Sequence, residues 1–295
     1  MRKRFVLSVA LLLVYVFIAS AQQYSPESDF EFKVIQGGRE IEITGYKGIS
    51  PEVRIPPRIN NIPVTIITED AFNRKRLTSV TIPNSVYEIE KSAFENNLLT
   101  AIIIPNSVEK IGARAFAQNR IASLIIPQNL TDIGAEAFRS NQLTEINIPN
   151  SLRELGNGAF SRNQISSITF GNRVNRIGAN VFAENKLTSL TIPPHITSIG
   201  NGTFSGNPLS SVTIGANVDV AYGRPTSFAS NVRRSDSFIH DFSDFYVDSG
   251  KKAGTYTCTV TFTPDPQIER LRAMGMTVET DGSEGTISGV WSLNE

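Results

Sequence analysis

The sequence predicts a solenoid of parallel β-strands followed by a small α+β module, because its apolar positions recur with a fixed period. Phenylalanine recurs every 22 residues at Phe72, Phe94, Phe116, Phe138, Phe160, Phe182 and Phe204. A column of Leu or Ile lies five residues after each Phe, and a column of Pro or Gly lies six residues further on. From Leu77 to Pro208 this gives six complete units without an insertion or deletion. Such a period is typical of a solenoid, whose coils bury one continuous core between them.

Each unit begins with a segment that has the pattern of a half-buried strand. In the first unit Val80 and Ile82 alternate with polar residues, and Pro83 follows. Alternation of apolar and polar residues is typical of strands with one buried face, and Pro cannot donate the next ladder hydrogen bond. We therefore expect a strand that ends at each Pro, followed by a short helical or irregular return segment.

Glycine forms a further column on the return segment, at Gly112, Gly134, Gly156, Gly178 and Gly200. This column has two explanations. Either the backbone adopts angles that side chains do not tolerate, or the neighbouring coil approaches so closely that a side chain has no room.

An asparagine occupies the third position after each Phe from Phe94 onward. A buried Asn side chain can serve backbone donors and acceptors that no strand satisfies, so this column predicts a structural Asn ladder along one edge. The alternative is a set of ordinary turn asparagines, and both interpretations make the role structural. The ladder consists of Asn97, Asn119, Asn141, Asn163, Asn185 and Asn207.

Residues 1–21 have the features of a secretory signal peptide. Basic residues at 2–4 precede an uncharged run at 5–19, and Ala19-Ser20-Ala21 fits the small-residue rule for cleavage. The run is shorter than the roughly 20 residues that span a bilayer, so an uncleaved anchor is the less favoured alternative. We expect an exported protein, at the cell surface, secreted or periplasmic, with no transmembrane span after signal cleavage.

Residues 22–70 are predicted to cap the solenoid, whose repeats occupy residues 71–220. Residues 30–44 have the pattern of a β-hairpin with a glycine turn at Gln36-Gly37-Gly38. The first repeat is longer than the others, and its extra residues, around 59–63, are expected to form a bulged turn. A repeat array needs such caps because its terminal coils otherwise expose their core.

The repeat pattern ends after Val218, and residues 221–295 are predicted to form the small α+β module. Aromatic residues at helical spacing and apolar residues alternating with Thr distinguish its helices from its strands. The predicted elements are a helix around residues 238–246, a strand at 256–262, a short helix at 265–275, and strands at 276–279 and 286–293.

The composition argues against several classes of function. The chain has 28 Lys and Arg against 28 Asp and Glu, so it lacks the basic excess typical of proteins that bind nucleic acid. Its single Cys excludes an intramolecular disulfide framework and a Cys-rich metal site. That residue, Cys258, alternates with Thr on a predicted strand, which indicates a buried thiol.

The residues that could carry chemistry have simpler structural explanations. His195 lies in a turn column otherwise filled by Ser, Asn and Arg, so we expect an exposed turn residue. His240 and Asp244 have i,i+4 spacing, but no nucleophile or oxyanion site accompanies them. Asp241, Asp244 and Asp248 lack the spacing of a calcium loop and fit a solvated helix face. We predict no catalytic residue, no cofactor, no metal site and no enzymatic activity.

The outward side of the strands is rich in hydroxyl groups and is the predicted binding face. Seven strands about 4.8 Å apart give a face about 30 Å long, with one charge and a pair of Ile side chains. Such a face suits an extended protein or glycan surface, and the alternative is a sheet face that is merely soluble. The face comprises Thr78, Ser79, Thr81, Thr100, Ile103, Ser123, Ile125, Thr144, Glu145, Asn147, Ser167, Thr169, Ser189, Thr191, Ser211 and Thr213.

The repeat resembles the BspA-type leucine-rich repeats of bacterial surface proteins. Residues 77–94 follow the phrase Leu-Thr-Ser-Val-Thr-Ile-Pro-Asn-Ser-Val-x-x-Ile-x-x-x-Ala-Phe, and the resemblance covers roughly residues 55–218. The resemblance implies an exported, right-handed leucine-rich-repeat solenoid associated with adhesion to host matrix proteins or to other cells. The chain departs from the family in carrying Asn where many members carry Cys, and 22 rather than 23 residues per unit. Residues 242–256 are similar to the tail after the repeats in spirochaete members.

These observations predict an exported module for protein binding or adhesion. Its partner is expected to be a protein or glycan on a host or neighbouring cell surface, and no nucleic acid is expected to bind. The alternative is a structural protein of the cell envelope, docked to a partner through its C-terminal module.

Overall fold

The computed structural model describes residues 24–220, 251–264 and 285–294, and of Glu154 and residues 257–264 and 285–294 it describes the backbone alone. It confirms the predicted solenoid of parallel strands with a 22-residue period. Residues one period apart lie side by side in neighbouring coils, as Ile102 and Leu124 do. The core is therefore a stack of equivalent positions.

Two layers of short strands run the length of the solenoid, with smaller elements at its two ends. The face strands are β3 (Glu52–Arg54), β6 (Ser79–Thr81), β8 (Ile102–Ile103), β10 (Leu124–Ile125), β12 (Glu145–Asn147), β14 (Ser167–Thr169), β16 (Ser189–Thr191) and β18 (Ser211–Ile214). The return strands are β5 (Ile62–Ile67), β7 (Glu88–Ile89), β9 (Lys110–Ile111), β11 (Asp132–Ile133), β13 (Glu154–Leu155), β15 (Arg176–Ile177), β17 (Ser198–Ile199) and β19 (Asp219–Val220). The terminal elements are a 3-10 helix (Glu27–Asp29), β1 (Phe30–Ile35), β2 (Glu40–Tyr46), β4 (Arg58–Ile59), β20 (Gly254–Pro264) and β21 (Gly285–Asn294).

The return segments differ from the prediction of short helical or irregular stretches. Within residues 62–220 they contain no helix, and each carries a short strand that pairs in parallel with the strand of the next coil in two runs, β5 to β13 and β15 to β19. Paired strands lie about 4.8 Å apart, whereas a helix with its side chains is about 10 Å wide. A second layer of strands therefore keeps the same coil spacing on both sides.

A turn closes each coil and contains two columns of residues in the left-handed region, with φ between 54° and 72°. Glycine fills these columns at three of fourteen positions. The columns are Asp70, Ser92, Arg114, Glu136, Gly158, Asn180 and Gly202, and Arg74, Asn96, Gln118, Ser140, Arg162, Glu184 and Gly206.

The recurrent glycine column of the return segment lies elsewhere and has no positive φ. A Cβ added at Gly112 would lie 2.5 Å from the backbone nitrogen of Lys91 in the preceding coil. Of the two explanations for this column, close approach of the neighbouring coil is therefore the one that holds.

Gln118→Gly is expected to raise the free energy of unfolding. Gln118 is exposed with φ of 57°, and the left-handed region costs a residue with a Cβ about 1–2 kcal/mol. Greater freedom of glycine in the unfolded chain offsets part of the gain, so we expect up to about 1 kcal/mol in urea unfolding. Gln142→Gly is the control, because Gln142 is exposed but lies outside both columns. It is expected to lose about 0.5–1 kcal/mol, and a similar loss in both variants would contradict the prediction.

The phenylalanine column forms a stack of parallel rings through the centre of the solenoid. Neighbouring centroids lie 4.9–5.7 Å apart with ring planes within 12° of parallel, and all seven side chains are fully buried. Tyr46 continues the stack at the N-terminal end, 5.5 Å from Phe72, and Phe30 packs against both rings. The first coil therefore buries its ring under aromatic side chains of the hairpin.

The N-terminal hairpin consists of β1 and β2, and β2 pairs in parallel with the return strand β5. The bulged turn expected around residues 59–63 is wrong: β4 and β5 form a second antiparallel hairpin there. Asn60 and Asn61 connect them with φ of 49° and 62°. Two successive left-handed residues give the turn that matches the twist of a two-residue hairpin, and Asn tolerates them well.

At the C-terminal end β20 pairs antiparallel with the last face strand, β18, and with β21. The strands predicted at 256–262 and 286–293 fall within β20 and β21. The predicted helices around 238–246 and 265–275 and the strand at 276–279 lie outside the described residues. Within the described ranges, no helix is long and apolar enough to cross a membrane.

Candidate binding face

The structure places the sixteen residues of the predicted binding face on one side of the solenoid. Thirteen of them are exposed, and Thr81, Ser211 and Thr213 are half-buried. Register pairs hold equivalent positions side by side, as with Ser167 opposite Glu145 and Thr169 opposite Asn147. The face strands pair in four runs, β3 with β6, β8 with β10, β12 with β14 and β16 with β18, so the binding face spans the coils in paired strips.

Burial of the alternate residues orients this face. Val80, Ile102, Leu124, Ile146 and Leu190 lie between the outward positions and are buried in the core. Because successive side chains of a strand point to opposite sides, burial of this set turns the Ser and Thr residues outward. The apolar pattern thus fixes the orientation of the polar side chains.

Ile103 and Ile125 interrupt the polar face with an apolar pair. They are paired in β8 and β10 and are 84% and 83% exposed. A shallow depression between them is also lined by Ala101, Ser123 and Pro105. Adjacent exposed apolar side chains on a strand surface mark a place where a partner can remove apolar area from water.

Charge is sparse on the face and concentrated at its borders. Glu145 is the one charged residue among the sixteen. Strand β3 extends the face at the N-terminal end with exposed Glu52 and Arg54, neither of which belongs to the predicted binding face. Val53 pairs with Val80, 27 positions later, so this strand lies outside the 22-residue period. Its detectable signal is the strand pattern that ends at Pro56.

The C-terminal end of the face does not finish in an open strand edge. Strand β20 pairs with β18, so Ser211 and Thr213 are half-buried, and Thr213 Oγ1 lies 2.9 Å from Thr255 Oγ1. Tyr256 lies opposite Val212 and is fully buried, and its hydroxyl donates to the Lys252 carbonyl at 2.7 Å. The usable part of the face therefore lies mainly between β6 and β16.

The Asn column lies beneath the surface and is buried in every coil. In Asn141, Nδ2 donates to the carbonyls of Phe116 and Phe138 at 2.9 and 3.1 Å, and Oδ1 accepts the backbone N–H of Ile121 at 3.0 Å. Equivalent bonds recur in the other five members. Each Asn therefore joins its own coil to the preceding one.

The turns that close the coils carry ion pairs. Arg114 contacts Glu95 at 2.5 Å, and Arg162 contacts Glu184 at 3.1 Å. Such partly exposed ion pairs contribute about 0–1 kcal/mol each to the free energy of unfolding, so they add little to stability. Near the N-terminal end, burial and then the negative charge of Glu40 raise the pKa of Tyr87, whose hydroxyl donates to Glu40 at 3.3 Å.

Of the remaining chemical candidates, His195 alone has a described side chain. His195 is half-buried rather than exposed, because its Nε2 lies 3.0 Å from the Gly171 carbonyl in the preceding coil. Cys258 lies in β20, where the backbone alone is described, and His240, Asp241, Asp244 and Asp248 lie outside the described residues. Among the residues whose positions are described, no group of three or more His, Cys, Asp or Glu could hold a metal ion.

Comparison with solved structures gives the same architecture. A leucine-rich-repeat protein of T. pallidum is 26% identical, with 62% of this chain and 89% of that chain covered and a TM-score of 0.54. A leucine-rich cell surface protein of Faecalibacterium prausnitzii is 24% identical, with 70% and 60% covered and a TM-score of 0.55. The second likeness shows the fold alone. No curated protein sequence matches the chain.

Comparison with family profiles identifies the repeats themselves. The BspA type leucine-rich-repeat region matches in six copies, over residues 65–186 and 109–231. These matches together cover more than half of the 295 residues. The chain therefore belongs to the BspA-type leucine-rich-repeat family.

Proposed function

We propose that the protein is an exported bacterial surface protein that binds a protein or glycan of a host or neighbouring cell through its binding face. The observation that carries this proposal is the exposed strand face itself, with thirteen of its sixteen residues open to solvent and a single charge. The predicted signal peptide and membership of the BspA-type family support export and surface display.

The form of the face favours a large, extended ligand. An enclosed pocket buries most of a small ligand, whereas the depressions beside Ile103 and Ile125 are shallow and open. Hydroxyl groups at regular spacing can bond to peptide or sugar groups, and the Ile pair adds apolar contact area.

A four-lysine variant of the face tests this function. Changing Ser167, Thr169, Ser189 and Thr191 to Lys places four positive charges on exposed positions of two successive face strands, β14 and β16. Four long, positively charged side chains would keep a ligand from close contact with the face and would have to lose their water when it binds. We therefore expect binding to matrix proteins, glycans or partner cells to fall at least about tenfold. Solid-phase binding and cell-adhesion assays with the purified chain measure this loss.

The control carries the same added charge away from the binding face. Gln118, Gln142, Gln164 and Asn175 are exposed outside the face, and changing all four to Lys leaves the face intact. This control is expected to bind as the unchanged protein does. Equal binding by both lysine variants would show that the face is not the site.

A further inference from the structure

Strand β1 is the outermost strand of the return layer at the N-terminal end. It pairs with β2 on one side, and no other strand in the described ranges pairs with its opposite side. Alternate residues of such an edge strand direct N–H and C=O groups away from the sheet, which is a template for another strand. Strand β1 has six residues, which is the usual length of a strand. Its pairing with β2 shifts register between Glu31 and Phe32, and the extra residue, Thr44, lies on β2 rather than on β1.

The apolar side of β1 extends beyond the core that it covers. Phe30 is buried against Tyr46 and Phe72, Phe32 is half-buried, and Val34 is 49% exposed. These residues occupy alternate positions and therefore share one side of the strand. A strand added to the β1 edge could cover Phe32 and Val34 and continue the core outward.

The other side of β1 carries two opposite charges at a spacing of two residues. Glu31 and Lys33 are both exposed. Lys33 Nζ lies 3.6 Å from Glu42 Oε1 on β2, yet 72% of its side chain stays exposed. No ion pair of Glu31 is found among the described residues. Glu31 and Lys33 can therefore both form ion pairs with charged residues of another strand.

We propose that two copies of the protein pair through β1, antiparallel and about a two-fold axis at Phe32. In this register Glu31 lies opposite the partner's Lys33, and Lys33 lies opposite the partner's Glu31. Val34 lies opposite the partner's Phe30 on the apolar side. Lys33 thereby lies between Glu42 of its own chain and the partner's Glu31.

Charge selects this register over the neighbouring ones. An antiparallel pair centred on Glu31 places two carboxylates opposite each other, and one centred on Lys33 places two ammonium groups opposite each other. A parallel pair in register aligns like charges as well. Directly opposed like charges destabilise strand pairing, and opposed unlike charges stabilise it. The Phe32-centred pair is the antiparallel register that satisfies both charges while keeping the apolar residues on one side.

Charge exchange tests the pair by sedimentation equilibrium of the chain from residue 22 onward. Lys33→Glu is expected to raise the dimer dissociation constant about tenfold or more. In this variant Glu31 of each chain lies opposite a carboxylate at position 33 of the other chain, so the dimer contains two repulsive pairs. The double variant Glu31→Lys/Lys33→Glu restores the unlike pairs and is expected to return the constant to within about threefold of its original value. Lys186→Glu makes the same charge change at an exposed site far from β1 in the sequence and is expected to leave the constant unchanged.

A mixture of the two single variants sharpens the test. Glu31→Lys alone and Lys33→Glu alone are each expected to be monomeric where the unchanged protein dimerises, and their mixture is expected to form a heterodimer. Hydrogen exchange of the β1 amides is expected to slow as the concentration of the unchanged protein rises. A chain that stays monomeric at all concentrations, or a dimer whose affinity ignores the charges at 31 and 33, would overturn the proposal. Restoration in the double variant excludes misfolding as the cause of the loss.

Discussion

Gly156→Ala is expected to lower the free energy of unfolding by about 3 kcal/mol or more. A Cβ at this position would lie 2.3 Å from both the Ala135 nitrogen and the Gly134 carbonyl carbon. Both atoms belong to the backbone of the preceding coil, so neither can turn away as a flexible side chain does. The coils must separate, and separation lengthens the return-layer hydrogen bonds, such as that from Gly156 N–H to the Ile133 carbonyl at 2.7 Å. Urea unfolding followed by circular dichroism measures the loss.

Gly215→Ala is the matched control for this change. A Cβ at Gly215 would lie no closer than 3.6 Å to the nearest atom, and its φ is not in the left-handed region. The same substitution is therefore expected to change the free energy of unfolding by less than about 0.5 kcal/mol. If Gly156→Ala were equally mild, close approach would not be the reason for the glycine column.

Asn141→Ala is expected to cost about 3–4 kcal/mol of unfolding free energy. The variant loses the donors to the Phe116 and Phe138 carbonyls and leaves the N–H of Ile121 without its acceptor. These groups are buried, so water does not replace the lost bonds without opening the coil. Thermal and urea unfolding report the change.

Two further variants separate hydrogen bonding from volume at this position. Asn141→Asp keeps the acceptor and nearly the same volume, but places a carboxyl group against two carbonyls, and we expect a loss as large as that of Asn141→Ala. Asn147→Ala removes an exposed Asn of the binding face and is expected to change the free energy of unfolding by less than about 0.5 kcal/mol. A mild effect of Asn141→Asp would indicate that the ladder acts through packing alone.

The solenoid follows from the sequence because its apolar residues repeat at a fixed interval. Phe72 to Phe204 predict the stacked core, and the alternation around Val80 predicts which side of the face strands is buried. The return strands were not predicted, since one apolar residue per segment, such as Ile111 in β9, gives no alternation to detect. Those strands depend on pairing with the neighbouring coil rather than on a local pattern.

Left-handed positions show a second limit of sequence reasoning. The conspicuous glycines, such as Gly134, mark close contact between coils, whereas the left-handed columns hold residues such as Arg114 and Glu136. Tertiary contacts between the stacked turns, including the bond from Arg114 N–H to the Ala135 carbonyl, hold these residues in place. Composition alone does not reveal a conformation that neighbouring coils impose.

The candidate site divides in the same way. Outward positions such as Ser189 and Thr191 could be assigned from alternation, because burial of the intervening Leu190 fixes their direction. The position of Glu52 and Arg54 on the same face could not be predicted, because the longer first coil places them 27 rather than 22 residues before their partners in β6. Partial burial of Thr213 by β20 depends on a pairing between distant segments that no local pattern encodes.

The Asn ladder also determines how this protein can change in length. Each Asn donates a hydrogen bond to the Phe carbonyl of the preceding coil, as Asn163 does to Phe138. The ladder therefore connects each coil only to its immediate neighbours. In-frame removal or duplication of one 22-residue unit, for example residues 121–142, brings together two coils that have equivalent residues at the positions where coils contact each other. Recombination between such similar units can therefore lengthen or shorten the binding face by about 4.8 Å at a time without a new core. The number of repeats can therefore change between related proteins without altering the contacts that stabilise each coil.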